Sequence, residues 1–538
     1  MEKYLTMSWG QHLVFKDSLQ FLSCSLERLA ANLLKAGREN FVNLLKEFPV
    51  ADNVDLLLRK GVYPYDYMDA QERFAEVQLP PIEAFHSKLR DEDITAAEYQ
   101  HAKNVWTRFN CANIGDYHDL YLKTDVFLLA DVWECFSKTC FDNYQLDPAH
   151  YVSAPHLTWD AMLKKTEVKI ELLSDPEMFK FYDNSLRGGI CYISKRHARA
   201  NHPDLPGYDP TKPIIWLPYV DANNLYGAAM SFPMPIGGFR WMERDEIDAI
   251  DWQAQTENQP IGYTVECDLD YPPELHDAHN DYPLAPDKTQ TNYTCLSEQQ
   301  VEISIAYKLN RNCKCVKLMP NLMHKRFYTC DYLNLKFYLD HGLNLKQVHR
   351  VIEYRQSRWL QTYIDLNQNL RKNARQEHEK DLFKLLNNAV YGKTCENLKK
   401  RSDIRLVTTD AQRRKLTDKP HCQSFRIFGE DLAAVQLEKS FTKIDKPTPV
   451  GFKVLEASKL VMMRFYYDEL KQWYGDRVHM LFTDTDSFML EVETPDWEAD
   501  MFAHKSHFDL SFYPPGHQYR DATNEKVQLH FIISYFCA

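Results

Sequence analysis

The segment that most limits how this chain can fold is Leu481-Phe482-Thr483-Asp484-Thr485-Asp486-Ser487, two carboxylates at alternate positions inside an otherwise apolar hairpin. On an extended strand residues i and i+2 point the same way, so Asp484 and Asp486 would share a face. Two like charges there repel, and withdrawing either from water is unfavourable. A divalent cation relieves both problems, and Mg2+ takes a few carboxylates completed by substrate phosphates. Asp-Thr-Asp-Ser is also good turn chemistry, so the pair alone leaves a plain hairpin turn open. A further carboxylate, Asp221, ends the β-rich run 213–220 and precedes Asp486 by 265 residues. Only a fold that lays two distant strands side by side lets these groups act together.

Composition narrows the class. The chain has 538 residues, 44% of them hydrophobic and 26% charged. That suits several globular domains, about three to five, and excludes disordered, collagen-like and coiled-coil chains. The formal charge of −12 excludes an overall basic nucleic-acid binder but not a locally basic groove. Residues 350–415 carry 16 Lys/Arg against 8 Asp/Glu, a local +8. Such a segment in an acidic chain is what a phosphate site would look like, although a solvated helix face gives the same count. The longest apolar runs, 126–130 and 531–535, fall far short of the ~18 residues of a membrane span, so no membrane partner is expected. The 13 scattered cysteines read as reduced thiols of an intracellular protein. Cys295, Cys313, Cys315 and Cys330 give a weak zinc pattern for which free thiols are the simpler account.

Periodicity predicts a mainly helical first 150 residues, with Leu122, Val126, Leu129, Trp133 and Phe136 on one stripe of a helix over 116–143. Arg187-Gly188-Gly189 reads as a turn before a strand at 190–193. Pro218 requires an edge or a break in the strand ending at Asp221. Residues 255–300 read as a loop-heavy insertion, 331–400 as helix-rich, 454–474 as a helix, and 479–483 with 488–493 as paired strands.

Two further constellations carry chemistry. Val220-Asp221-Ala222-Asn223-Asn224-Leu225-Tyr226-Gly227 ends a strand on a carboxylate and opens a small-residue helix, whose first N–H groups suit a triphosphate. A helix N-cap aspartate is the common alternative. In Lys380-Asp-Leu-Phe-Lys384-Leu-Leu-Asn-Asn388-Ala-Val-Tyr391-Gly392-Lys393, helical spacing puts Lys380, Lys384, Asn388 and Tyr391 on one stripe, with Leu382, Leu385, Leu386 and Ala389 opposite. Ordinary amphipathicity explains that stripe equally well.

Taken in order, these segments resemble the three polymerase motifs of family B DNA polymerases, in the protein-primed branch that includes Polinton/Maverick elements. Asp221-x-x-x-Leu225-Tyr226-Gly227 resembles the first motif, Lys384-x-x-x-Asn388-Ala389-x-Tyr391-Gly392 the second, and Phe482-x-Asp484-Thr485-Asp486-Ser487 the third. Arg187-Gly188-Gly189 is similar to the glycine motif between exonuclease and polymerase regions. Tyr121-Leu-Lys-Thr-Asp125, Leu146-Asp147-Pro148 and Gln356-Ser357-Arg358-Trp359-Leu360 extend the resemblance over most of residues 15–525. It implies a mixed α/β fold: a right-hand polymerase palm with helical fingers, after an incomplete RNase H-like exonuclease domain and with the thumb largely missing. The implied division is an exonuclease-like region 1–150, a linker 151–205, a first palm part 206–345 with a terminal-protein-region-like insertion, fingers 346–415, a second palm part 416–515, and a truncated thumb or aberrant tail 516–538.

The resemblance also implies roles. Asp221, Asp484 and Asp486 would be catalytic, with Asp221 and Asp486 holding two Mg2+ ions and Asp484 weaker or indirect. Lys384, Lys380, Lys372 and Asn388 would meet the incoming nucleotide, Tyr226 would lie under its sugar and Tyr391 against the nascent base pair. Arg187, Gly188, Gly189, Lys459, Ser18 and Leu19 would contact DNA. Template and primer DNA and dNTPs are the implied partners, a terminal protein a further one, and a monomer the expected state. Tyr121 and Asp125 match one exonuclease motif, but the upstream Asp-x-Glu and His-Asn…Asp segments are missing, so no proofreading is expected. After 523–527 no Lys-x-Tyr segment follows, and the chain looks truncated at both ends. A fragment retaining only DNA binding is the alternative reading.

Overall fold

The computed structural model describes residues 6–9, 12–49, 51–290, 296–309, 316–374, 377–398, 402–439, 441, 443–528 and 530–534. Cys295, Cys313 and Cys315 lie outside these residues. The chain is a mixed α/β protein, as expected, and divides into two compact units: Met1–Lys165 with Asp365–Val390, and Thr166–Ile364 with Tyr391–Ala538.

The first unit is mainly helical, with one hairpin of Thr6–Trp9 and Leu13–Lys16. Its longest helix, Ile114–Tyr144, has 31 residues and covers the segment whose periodicity predicts it. The buried stripe is not the expected one. Tyr117, Leu120, Leu128, Val132 and Phe136 face inward, while Leu122, Val126 and Leu129 are exposed. Two apolar stripes compete on this helix, and Asp131 selects between them. Its buried carboxylate accepts the N–H groups of Asn43 (2.8 Å) and Leu44 (3.1 Å), docking the Val42–Glu47 helix on that side. In the Glu377–Thr394 helix the inward residues are Leu382, Phe383, Leu386, Asn387 and Val390, so Leu385 and Ala389 lie at the margin of the core rather than in it. The Tyr144 hydroxyl donates to Asn367 (2.5 Å) and the Asn367 amide to Asn387 (2.7 Å), a buried polar chain joining three helices. Residues 365–390 thus belong with the first unit.

In the second unit an antiparallel four-stranded sheet runs in the order Lys325–Asp331, Ile261–Asp270, Asn344–Ser357, Met234–Trp241. Two expectations change here. The segment 255–300 is not mostly loop, because Ile261–Asp270 alternates Ile, Tyr, Val, Cys and Leu with smaller or polar residues and forms an inner strand. The segment 331–400 is not uniformly helical, because Asn344–Ser357 is a 14-residue strand between helices.

The other large sheet runs Phe531–Ser534, Tyr219–Ala222, Ser487–Glu493, Val478–Asp484, Cys191–Ile193, with Ile215–Trp216 also pairing on Ser487–Glu493. Pro218 falls in the break between Ile215–Trp216 and Tyr219–Ala222, and its carbonyl accepts the Leu490 N–H (2.9 Å). Phe531–Ser534, within the expected truncated thumb or aberrant tail, forms an edge strand of this sheet. Ile532 pairs with Asp221, buried Phe531 stacks on Phe465 at 3.6 Å, and the His530 carbonyl accepts the Asn223 N–H (3.0 Å). Two apolar residues in alternation at 531 and 533 suffice to bury one face of so short a strand.

The Thr448–Arg464 helix is buried on all sides from Thr448 to Met463. Among the described residues no helix is long and apolar enough to cross a membrane, and nine cysteines are free thiols.

Candidate active site

Sheet register assembles the three carboxylates. Asp484 ends its strand opposite Ser487, and Ser487 on its other side faces Asp221. Residues in one ladder row share a face, and strands lie ~4.8 Å apart, so the backbones of Asp484 and Asp221 are separated by roughly two strand spacings. Asp486 occupies the turn just before Ser487, and its carbonyl accepts the Ala222 N–H (2.7 Å), fixing the turn beside Asp221. Asp484 and Asp486 are therefore neighbours for a different reason from the strand alternation expected: the strand stops at Asp484, and Thr485-Asp486 is a two-residue hairpin turn. Asp484 is exposed, and Asp221 and Asp486 are half-buried. Asp221 is not a helix cap; Asn224 occupies the N-cap position of Leu225–Met230.

The turn is strained. Thr485 has φ +61°, a conformation that β-branched residues avoid at a cost of roughly 1–3 kcal/mol. Its N–H donates to the Ile190 carbonyl (2.8 Å), and the Asp486 N–H donates to the Asp484 carbonyl (2.7 Å). A Cβ on Gly189 would lie 2.4 Å from Thr485 Oγ1, whereas one on Gly188 would meet nothing within 4 Å. Cys191, opposite Asp484, donates its thiol to that carboxylate (2.7 Å), and this bond together with burial raises the thiol pKa.

Tyr226 and Tyr391, 165 residues apart in sequence, stack with ring centroids 4.6 Å apart and planes 7° from parallel. Burial, with Asp486 nearby, raises the Tyr226 pKa. Lys384 and Asn388 lie on the exposed side of the Glu377–Thr394 helix, with Lys380 half-buried beside them, and Lys372 is exposed near the end of Gln361–Asn373. These four belong to the first unit.

The expected DNA contacts at Arg187 and Lys459 are placed inside the protein. Arg187 is 6% exposed; its guanidinium lies over the Tyr328 ring (4.1 Å), donates to the Thr329 carbonyl (2.5 Å) and stands 3.6 Å from Asp287. Lys459 is 3% exposed, donates to the carbonyls of Arg187 (3.1 Å) and Leu455 (2.6 Å), and pairs with Glu456 at 3.2 Å. Burial lowers its pKa, as expected for an ammonium removed from water. Neither side chain can reach a surface phosphate in this arrangement. Ser18 lies in a single turn capped by Asp17, and Leu19 is exposed. Tyr121 donates to Asp125 Oδ2 (2.6 Å), and burial raises the Asp125 pKa. Asp125 Oδ1 is buried without a hydrogen bond.

Sequence reasoning missed Asp509. Its buried carboxylate accepts Asn223 Nδ2 (2.8 Å) and the Lys526 N–H (2.7 Å), clamping the loop after Asp221 to the last part of the chain. It also missed that residues 188–203 hold Lys195, Arg196 and Arg199 and no acid. No spacing rule marks the first; the second was legible as a charge run.

A divalent cation fits the donor set. Among the described residues no group of three or more His, Cys, Asp or Glu side chains is drawn together as a metal cage. Mg2+ does not require one: it takes one or two carboxylates and completes its shell with water and substrate phosphates. Hard carboxylate oxygens from Asp221 and Asp484, on strands flanking Ser487–Glu493, and from Asp486 in the adjoining turn supply that open arrangement.

Comparison with known proteins places the chain. The family model described as DNA polymerase type B, organellar and viral, matches residues 3–435, well over half of the chain; Asp484 and Asp486 lie beyond the match. No curated protein matches. Similar solved structures include Phi29 DNA polymerase complexed with primer-template DNA and incoming nucleotide substrates (15% identity, TM-score 0.45, covering 91% of this chain and 63% of that one). Another is the orthorhombic crystal form of Phi29 DNA polymerase (15% identity, TM-score 0.48, covering 98% and 66%). A third is Phi29 DNA polymerase complexed with single-stranded DNA (16% identity, TM-score 0.45, covering 91% and 62%). The chain thus spans less than two thirds of the length of these structures. On the extent of the family match, it belongs to the organellar and viral type B DNA polymerases.

Proposed function

We propose that the chain is a DNA-directed DNA polymerase that adds dNTPs to a primer 3′-hydroxyl on the Asp221–Asp484–Asp486 sheet. The observation that carries this reading is the ladder row Asp484–Ser487–Asp221 with Asp486 in the adjoining turn. Asp221 and Asp486 would hold two Mg2+ ions, which supply charge stabilisation to the attacking and leaving oxygens of phosphoryl transfer. Asp484, tied to the Cys191 thiol, is the weaker or indirect ligand. Lys384, Lys380 and Lys372 would neutralise triphosphate charge, and Asn388 would meet the incoming nucleotide. Gly188, Gly189, Ser18 and Leu19 remain the candidates for contact with DNA, and Lys459 holds the Arg187 carbonyl beside the two glycines from within.

A primer-extension reaction with Mg2+ and dNTPs, beside an Asp221→Ala control, tests the reading. Extension by the wild-type chain and none by the control is expected; DNA binding without extension would instead favour a catalytically inactive, transposon-derived fragment. In the same reaction without dNTPs, an intact primer is expected of a chain without proofreading, and steady shortening from the 3′ end would refute that expectation. Tyr121-x-x-x-Asp125 and the segments around 146–148 and 356–360 support a Polinton/Maverick-type enzyme replicating a mobile or virus-like genome. Leaving the DNA primer out of the reaction separates nucleic-acid priming from priming on a terminal protein.

Tyr226 is proposed as the sugar gate. Its ring is braced by Tyr391, so a ribose 2′-hydroxyl would meet a supported aromatic face. Tyr226→Ala should raise ribonucleotide relative to deoxyribonucleotide incorporation by about tenfold or more. An unchanged ratio would remove Tyr226 from that role.

A further inference from the structure

We infer that Gly189 and Thr485 form a clasp that positions Asp484 and Asp486 for cation binding, and that Arg187, held inside the protein, anchors the fixed side of that clasp. The inference rests on the proposed cation site and adds what sets its geometry.

Thr485 stands between the two aspartates, so its backbone conformation sets the direction in which both side chains leave the turn. That conformation, φ +61°, is one that glycine or asparagine adopts readily and threonine does not. It persists because neighbours hold it. The Thr485 N–H is bound by the Ile190 carbonyl, and Asp484 is bound by the Cys191 thiol. The Thr485 side chain fills the space where any Cβ at position 189 would stand, 2.4 Å from Oγ1 and 2.5 Å from Cγ2. Such distances exclude a side chain at 189 unless the turn moves.

The opposite end of this segment is fixed from below. Lys459, on the buried Thr448–Arg464 helix, donates to the Arg187 carbonyl, and the Arg187 guanidinium is bound to the Thr329 carbonyl. Residues 187 to 191 are therefore held at one end by a buried ammonium and press at the other on the turn between the aspartates. The two glycines differ in kind: Gly189 is required by a close approach within the protein, and Gly188 meets no such obstacle.

The test is Mn2+ binding by the full chain, read as loss of the free-ion signal in electron paramagnetic resonance, with melting temperature measured alongside. Gly189→Ala should weaken Mn2+ binding at least tenfold, and Gly188→Ala should leave it within twofold. Adding Thr485→Gly to Gly189→Ala removes the colliding atoms and relieves the left-handed strain, so the double variant should regain wild-type affinity. If Gly189→Ala does not fold, recovery of both folding and binding in the double variant supports the clasp. A folded Gly189→Ala that binds like wild type overturns the inference, as does a double variant that fails to recover. Equal binding by wild type and Asp486→Asn is a different result: it removes the cation site itself, and with it the proposed function.

Discussion

Asp486→Asn is expected to lower primer extension at saturating Mg2+ and dNTP by about a thousandfold or more, measured at a temperature well below the variant's own melting transition. The substitution is isosteric, and the carbonyl that binds the Ala222 N–H belongs to the backbone, so the turn keeps its anchor. Asp486 is half-buried in a turn rather than packed in the core. What is lost is one negative charge where two cations must be held against a triphosphate. Several kcal/mol of transition-state stabilisation depend on such charges, and about 4 kcal/mol is a factor of roughly 10³ in rate. Asp484→Asn should cost less, because the Asp484 carboxylate already accepts the Cys191 thiol and lies at the exposed end of the row. Retention of a tenth or more of wild-type extension by Asp486→Asn would show that the chemistry does not use this carboxylate.

Legibility in the sequence followed the range of the interactions involved. Asp221, Asp484 and Asp486 were readable because a carboxylate at the end of an apolar strand is locally anomalous, and their meeting required only that two strands pair. The helix Ile114–Tyr144 was readable as a helix but not in its facing, since the choice between two apolar stripes was made by Asp131 reaching Asn43 and Leu44, 87 or more residues away. The Ile261–Asp270 strand had a plain period-two pattern, yet the Pro, Asn and Asp around it dominated the local composition. The burial of Arg187 and Lys459 was hidden for a related reason: a basic side chain reads as solvent-facing unless its partners are visible, and here the partners are backbone carbonyls, the Tyr328 ring, Asp287 and Glu456. Phe531–Ser534 looked foreign as sequence, but two alternating apolar residues beside an open strand edge are enough to continue a sheet.

The largest effect on stability is expected at a pair that the chemistry does not touch. Lys453 on the Thr448–Arg464 helix donates to Asp331 at 2.6 Å, and each side chain is 1% exposed. Asp331 also accepts the Leu333 N–H (3.0 Å) and the Tyr354 hydroxyl (3.1 Å), and the Tyr332 ring lies 4.5 Å from the ammonium. Burial opposes both charged forms, raising the Asp331 pKa and lowering that of Lys453. Lys453→Met leaves the carboxylate buried without a counter-charge and should cost about 3–5 kcal/mol in urea unfolding at pH 7. An acid whose folded pKa is raised gives up stability as pH climbs above the unfolded value of 3.8, so the loss should be smaller at pH 5 than at pH 7. Lys453→Met combined with Asp331→Asn removes both charges while an amide oxygen still accepts from Leu333 and Tyr354, and should return to within about 1 kcal/mol of wild type. A single variant that loses less than about 1 kcal/mol would mean that water already reaches the pair. The same helix carries Lys459, six residues on, whose ammonium holds the Arg187 carbonyl, so loosening the helix at Lys453 should also loosen the segment that presses on the aspartate turn. Primer extension by Lys453→Met should therefore fail at a lower temperature than global unfolding, whereas loss of activity only at the melting transition would show that the helix and the turn are uncoupled.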